Sequence, residues 1–164
     1  MGGYSLKLIT HDIESWFNKD PVRPELPPSF RTKPGREVYG LLDEDGKFKS
    51  FLCLAYTTQV PRDIGELANL TSHDGRIIIP YTVWSYKRGA GKTIINLLIS
   101  MTRDNNMADR VVTLSPQTEM AKKFHLKNGA IELQRNDDTV NFEYSLALGP
   151  VSRGIKRVFS SGGG

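Results

Sequence analysis

Apolar and polar positions alternate through Val140, Phe142, Tyr144 and Leu146, and this period of two predicts a strand over residues 139–146 with one buried face. A different period runs through Ile94, Ile95, Leu97, Leu98 and Met101. Their i, i+3, i+4 spacing predicts an amphipathic helix over residues 91–104. Shorter apolar runs predict strands over residues 4–10, 37–42, 47–56, 76–86, 110–114 and 131–135. Pro80 has no N–H to give a ladder, so it must fall at a bulge or an edge of the fourth of these seven strands.

Turn chemistry fills the gaps. Asp43-Glu44-Asp45-Gly46 closes a hairpin, and Asn136-Asp137-Asp138 joins the last two strands. Asp12 is placed to cap a short helix through Phe17. Ser115 followed by Pro116 predicts an N-cap and first turn of a second long helix, which Asn128-Gly129 ends. Residues 21–34 carry five prolines and predict an ordered loop or lid. Residues 57–75 are polar and predict irregular structure. The pattern as a whole is α/β, strands interleaved with helices in one domain over residues 1–148, with a flexible basic tail over residues 149–164.

Composition narrows the class. The chain has 164 residues, 38% hydrophobic and 24% charged, which suits a globular core. No apolar run approaches the roughly 20 residues of a spanning helix, and the first residues lack the basic-then-apolar pattern of a secretory signal. Cys53 is the single cysteine and lies in the apolar run Phe51-Leu52-Cys53-Leu54-Ala55, so it reads as a core residue. These features predict a cytoplasmic protein. Residues 1–82 hold 10 Lys/Arg against 11 Asp/Glu, whereas residues 83–164 hold 12 against 7. The basic half points to an anionic ligand. Nucleic acid fits less well, because no helix-turn-helix, zinc-finger or aromatic ribonucleoprotein pattern accompanies the charge.

Within that basic half, a strand runs into Lys87-Arg88-Gly89-Ala90-Gly91-Lys92 and then a helix. Glycines allow successive N–H groups to face one point, and the helix dipole adds about half a positive charge there. A solvated strand-to-helix corner is the plainer alternative. A nucleotide-triphosphate loop ending in Gly91-Lys92-Thr93 would place Tyr86 at its first glycine, where bulk obstructs the phosphate wrap.

The segment from Tyr86 to Gly91, with its apolar helix, resembles the acyl-coenzyme A pyrophosphate loop of the GNAT superfamily of N-acetyltransferases. Ala121-Lys122-Lys123-Phe124-His125, continuing to Gly129-Ala130, is similar to that family's second coenzyme-binding helix. The resemblance implies a mixed, mostly antiparallel central sheet flanked by helices, acetyl-CoA as cosubstrate and an amine acceptor, small molecule or protein, that attacks the thioester directly. It implies that Lys87, Arg88, Gly89, Ala90, Gly91 and Lys92 hold the pyrophosphate, and that Val83 or Trp84 gives a backbone N–H to the thioester carbonyl. Tyr86 stands where the family has Arg or Gln. His125 stands where a tyrosine protonates the leaving thiolate; with a reference pKa of about 6.5 rather than about 10, it would serve as acid or hydrogen-bond the sulfur. A surface histidine without a task is the competing reading. No general base stands out among Asp43, Glu44, Glu66, His73 and Asp74, and no metal site is expected. A homodimer is compatible with the resemblance. A non-catalytic interaction or structural protein on the same fold is the main rival, and a phosphotransferase a lesser one.

Overall fold

A computed structural model describes residues 3–10 and 20–147. The predicted helix over residues 12–17 and the basic tail over residues 149–164 lie outside the described residues. Eight strands form one mixed, mostly antiparallel sheet: β1 (Ser5–Leu8), β2 (Arg36–Leu42), β3 (Phe48–Thr57), β4 (Ile77–Ser85), β5 (Arg110–Val112), β6 (Ser115–Pro116), β7 (Ile131–Arg135) and β8 (Thr139–Tyr144). Strands β1 to β5 lie side by side; β8 then pairs with β5 and β6 along one edge and with β7 along the other. The helices described are α1 (Pro28–Arg31), α2 (Ile64–Leu70), α3 (Ala90–Asp104) and α4 (Glu119–Lys127). The α/β class read from the sequence and the mixed, mostly antiparallel sheet implied by the resemblance match this architecture.

Each face of the sheet has its own core. Ile94, Ile95 and Leu98 of α3 pack with Leu41, Leu52, Leu54 and Ile78. The opposite face holds Phe51, Cys53, Ile79 and Tyr81 beneath Leu26 and Leu67. Cys53 is fully buried there, and burial pushes its thiol up to about 12, as expected of a core residue. The proline-rich segment is ordered, with α1 inside it, and Asp20 at its start is locked down. Asp20 accepts from Arg31 Nη1 at 2.7 Å, Thr82 Oγ1 at 2.9 Å and the Val22 N–H at 2.8 Å. Both side chains of the Asp20–Arg31 ion pair are inaccessible to solvent.

Two sequence expectations are corrected. Residues 57–75 are not wholly irregular, because α2 forms there with Asp63 as N-cap, its side chain accepting from the Glu66 N–H. Leu67 buries against the sheet and supplies the tertiary anchor that a seven-residue helix needs. The second long helix does not begin at Ser115. Ser115 and Pro116 pair with Val140 and Thr139 as β6, and Thr118 caps α4 by accepting from Ala121 N–H at 3.1 Å. Met120 is 82% exposed.

Candidate functional site

Strands β4 and β5 run parallel for only two paired positions, Ile77 with Arg110 and Ile78 with Val111. One further bond, from the Leu114 N–H to the Pro80 carbonyl at 3.2 Å, holds them before they part. A bulge on β4 follows at once. Leu54 pairs with Pro80 and Cys53 with Thr82, so Tyr81 is the extra residue, and Pro80 sits at the bulge as the sequence required. Tyr81 and Thr82 both join the face covered by the proline-rich segment, and Val83 turns to the α3 face.

Beyond the bulge, the edge of β4 facing β5 has no strand partner among the described residues. The Tyr86 N–H donates to the Lys49 carbonyl at 2.8 Å, which fixes the phase of the β3–β4 ladder. Alternation then turns the N–H groups of Thr82 and Trp84 toward β3, and those of Val83 and Ser85 toward the open edge. Of the two residues the resemblance offered, Val83 therefore presents its N–H to the opening, and the Trp84 N–H is directed into the sheet. The Trp84 side chain still lines the opening, stacked on Phe51 at 5.2 Å.

The opening is a cleft of about 570 Å³. Pro21, Val22, Pro80 and Pro116 line it, as do Ser85, Gly91, Ala121 and Phe124. Beneath the point where the strands part, Arg23 bridges them, donating from Nε to the Tyr81 carbonyl at 3.3 Å and from Nη2 to the Leu114 carbonyl at 2.9 Å. None of Asp43, Glu44, Glu66, His73 and Asp74 is among the residues lining the cleft.

The glycine loop is the corner between β4 and α3. Gly89 is the N-cap of α3, with a left-handed φ of 88° that disfavours any side chain. Ser50 Oγ donates to the Ala90 carbonyl at 2.9 Å and ties this first turn to β3. The N–H groups of Gly91 and Lys92 have no acceptor among the described residues, and no side chain caps the helix. Lys87, Arg88 and Lys92 are exposed around that end, so charge and unpaired donors converge there. Tyr86 is engaged elsewhere: its ring packs edge-on to Phe51, and its hydroxyl accepts from Trp84 Nε1 at 3.0 Å.

His125 lines the same cleft, and it is not a surface residue, being only 7% exposed. Its ring stacks on Phe142 at 5.1 Å and meets the edge of Phe124. Nδ1 lies 2.7 Å from the Tyr144 hydroxyl. Burial pushes its pKa down to about 4, so the ring is neutral at pH 7. That corrects the expectation of a histidine poised near neutrality to give up a proton. Tyr144 was legible only as an apolar strand position; nothing in the sequence brings it to His125, because the contact depends on how β8 passes α4.

No protein-family model matches the chain, and no curated protein matches it by sequence. Solved structures do resemble it. The GNAT domain of S. lividans PAT superposes with a TM-score of 0.61 at 14% identity, over 87% of this chain and 90% of that one. Spermidine N-acetyltransferase from Vibrio cholerae, solved with CoA and spermine, gives 0.59 at 12%, over 87% and 95%. Malonyl-CoA decarboxylase from Agrobacterium vitis gives 0.57 at 16%, but the match takes in 75% of this chain and only 36% of the decarboxylase. Identities this low speak to the fold alone, and the fold is the one these GNAT structures share.

Proposed function

We propose that the cleft binds an acyl-coenzyme A, with acetyl as the acyl group, and that the chain transfers this group to an amine. The observation that carries the reading is the unpaired β4 edge after the bulge, which turns the Val83 N–H toward the cleft that Gly91 and His125 also line. The corner fits a pyrophosphate: the Gly91 and Lys92 N–H groups lack acceptors, the helix dipole adds positive potential, and Lys87 and Arg88 supply mobile charge. Lined by Val83, Trp84, Ala121 and Phe124, the cleft accepts an extended, uncharged chain and keeps water from it.

A bound thioester supplies the activated carbonyl, and the chain's own groups act around it. The Val83 N–H donates to the carbonyl oxygen where negative charge grows as the amine nitrogen bonds to carbon. The carbon–sulfur bond breaks with its electron pair on sulfur. A hydrogen bond from His125 steadies that charge, and the proton shed by the amine reaches the sulfur through solvent. Binding the thioester beside the acceptor converts an encounter of two molecules into reaction at one place.

The cleft's lining also suits a coenzyme thioester reaction that needs no amine. Proline and valine are among its lining residues, and among the described residues no carboxylate lines it. Loss of carbon dioxide from a malonyl-type thioester, the reaction named for one structural neighbour, is the second reading. Calorimetric titration tests the shared premise: acetyl-CoA and CoA should bind, and ATP with magnesium should bind far more weakly. Failure of both coenzymes to bind overturns both readings. Given binding, release of free thiol with an amine panel supports acyl transfer, whereas carbon dioxide from malonyl-CoA without free thiol supports the second.

A further inference from the structure

We propose that Tyr144 is a positioning residue that holds His125 as the Nε2–H tautomer and turns that N–H into the cleft. The proposal rests on the acyl-CoA reading for its purpose, but not for its geometry. Two protons are available to the pair, one on the phenol and one on the neutral imidazole. If Nδ1–H donated to Tyr144, the phenol proton would need an acceptor of its own. Tyr144 is only 3% exposed, and the His125 contact is its one side-chain hydrogen bond among the described residues. A buried hydroxyl proton without an acceptor is costly. If instead the Tyr144 hydroxyl donates to Nδ1, both protons are placed, and the imidazole proton must be on Nε2. Burial holds the Tyr144 hydroxyl protonated, raised above the ordinary phenol range, and holds the imidazole neutral, so the assignment stands across the neutral region.

Orientation is fixed as firmly as the proton. Stacking on Phe142 and the edge contact with Phe124 allow the ring no free rotation, and Tyr144 is itself pinned by pairing with Val111 of β5. Nδ1 being taken, Nε2 is the nitrogen left to the cleft that His125 lines. It has no partner among the described residues. A neutral N–H there can stabilise a departing thiolate by hydrogen bonding without transferring a proton, and it does so best when the donor is already oriented.

Two-bond proton–nitrogen correlation spectra distinguish protonated from unprotonated ring nitrogens. Only three histidines are present, so substitution of His11 and His73 assigns the signals. The full chain near pH 7 should show His125 protonated on Nε2, with Nδ1 as acceptor. In Tyr144→Phe the two tautomers should mix. An Nδ1–H signature in the parent, or an unchanged single tautomer in Tyr144→Phe, overturns the proposal; the parent spectrum decides even if the variant fails to fold. Adding CoA should shift the Nε2–H signal. A bound coenzyme that leaves this signal unmoved overturns the donor's role at sulfur, whereas absence of coenzyme binding defeats the acyl-CoA reading and leaves the tautomer result intact.

Discussion

Gly91, in the first turn of α3, lies so close to Phe124 of α4 that a Cβ built on it would stand 3.2 Å from the ring's Cε1. The glycine thus has a packing duty beside any duty to a ligand. Gly91→Val should cost about 1–3 kcal/mol by overpacking. A weakened coenzyme affinity in that variant would mix the two causes.

Gly89 separates them. A Cβ there meets nothing within 4 Å, but its left-handed φ strains any other residue. Gly89→Ala should lose about 1 kcal/mol of stability while the core stays intact. If its backbone shapes the pyrophosphate site, acetyl-CoA affinity measured by calorimetry should drop at least about tenfold, the equivalent of 1.4 kcal/mol. Parental affinity in a folded Gly89→Ala protein would remove the loop from the site.

Asp20 anchors the proline-rich segment to the β4 bulge, and its removal takes away the carboxylate that balances the Arg31 charge where no solvent reaches. Asp20→Ala should therefore destabilise the fold by about 3–5 kcal/mol in urea unfolding. Replacing Asp20 by Asn and Arg31 by Met together should cost less than Asp20→Ala alone, since no uncompensated charge remains. A larger loss in the double variant would mean that the bonds Arg31 gives to the Arg23 and Leu26 carbonyls outweigh the charge balance.

What the sequence disclosed follows from how local its causes are. The helix through Ile94, Ile95 and Leu98 and the alternation through Val140, Phe142 and Tyr144 are set by spacing, and both elements appear where expected. Pro80 announced a bulge because a missing N–H is a property of one residue. The α2 helix was illegible because its seven residues gain stability from burying Leu67, a tertiary effect. Ser115-Pro116 carried a cap signal, but pairing with β8 overrode it. The glycine corner was legible as a motif. The choice of Val83 over Trp84 needed the ladder's phase, and the burial of His125 needed Phe142 and Tyr144, both distant in sequence.

The neutral, buried His125 makes stability depend on acid. Its folded-state pKa of about 4 lies below the ordinary 6.5 of the unfolded chain. Between those values the unfolded state binds more protons, so stability rises with pH across the window and falls on acidification. The loss attributable to this residue should reach roughly 3 kcal/mol by pH 4 and be close to zero above pH 7. His125→Asn keeps a polar group near Tyr144 and cannot titrate. Urea unfolding at pH 7 and pH 5 should show a larger drop for the parent than for the variant, and equal drops would show that His125 does not control this window.

The same residue offers the sharpest test of catalysis. A donor to the departing sulfur acts mostly in the transition state, so its loss should reduce turnover more than coenzyme affinity. Once a responsive amine is found by thiol release, His125→Ala should keep acetyl-CoA binding within a few-fold and lose at least about tenfold in kcat. The stacked ring beside Phe142 and the hydroxyl of Tyr144 leave a confined site, so His125→Tyr, the substitution that restores the usual family residue, must displace neighbours before it can donate. His125→Gln is the better rescue, because its amide can present an N–H toward the cleft with less crowding. The expected order of kcat is parent, then His125→Gln, then His125→Ala. Parental kcat in a folded His125→Ala protein would leave the cleft as a coenzyme site in which Val83 and solvent suffice for the chemistry, and would end the assignment of His125 as the sulfur's hydrogen-bond donor.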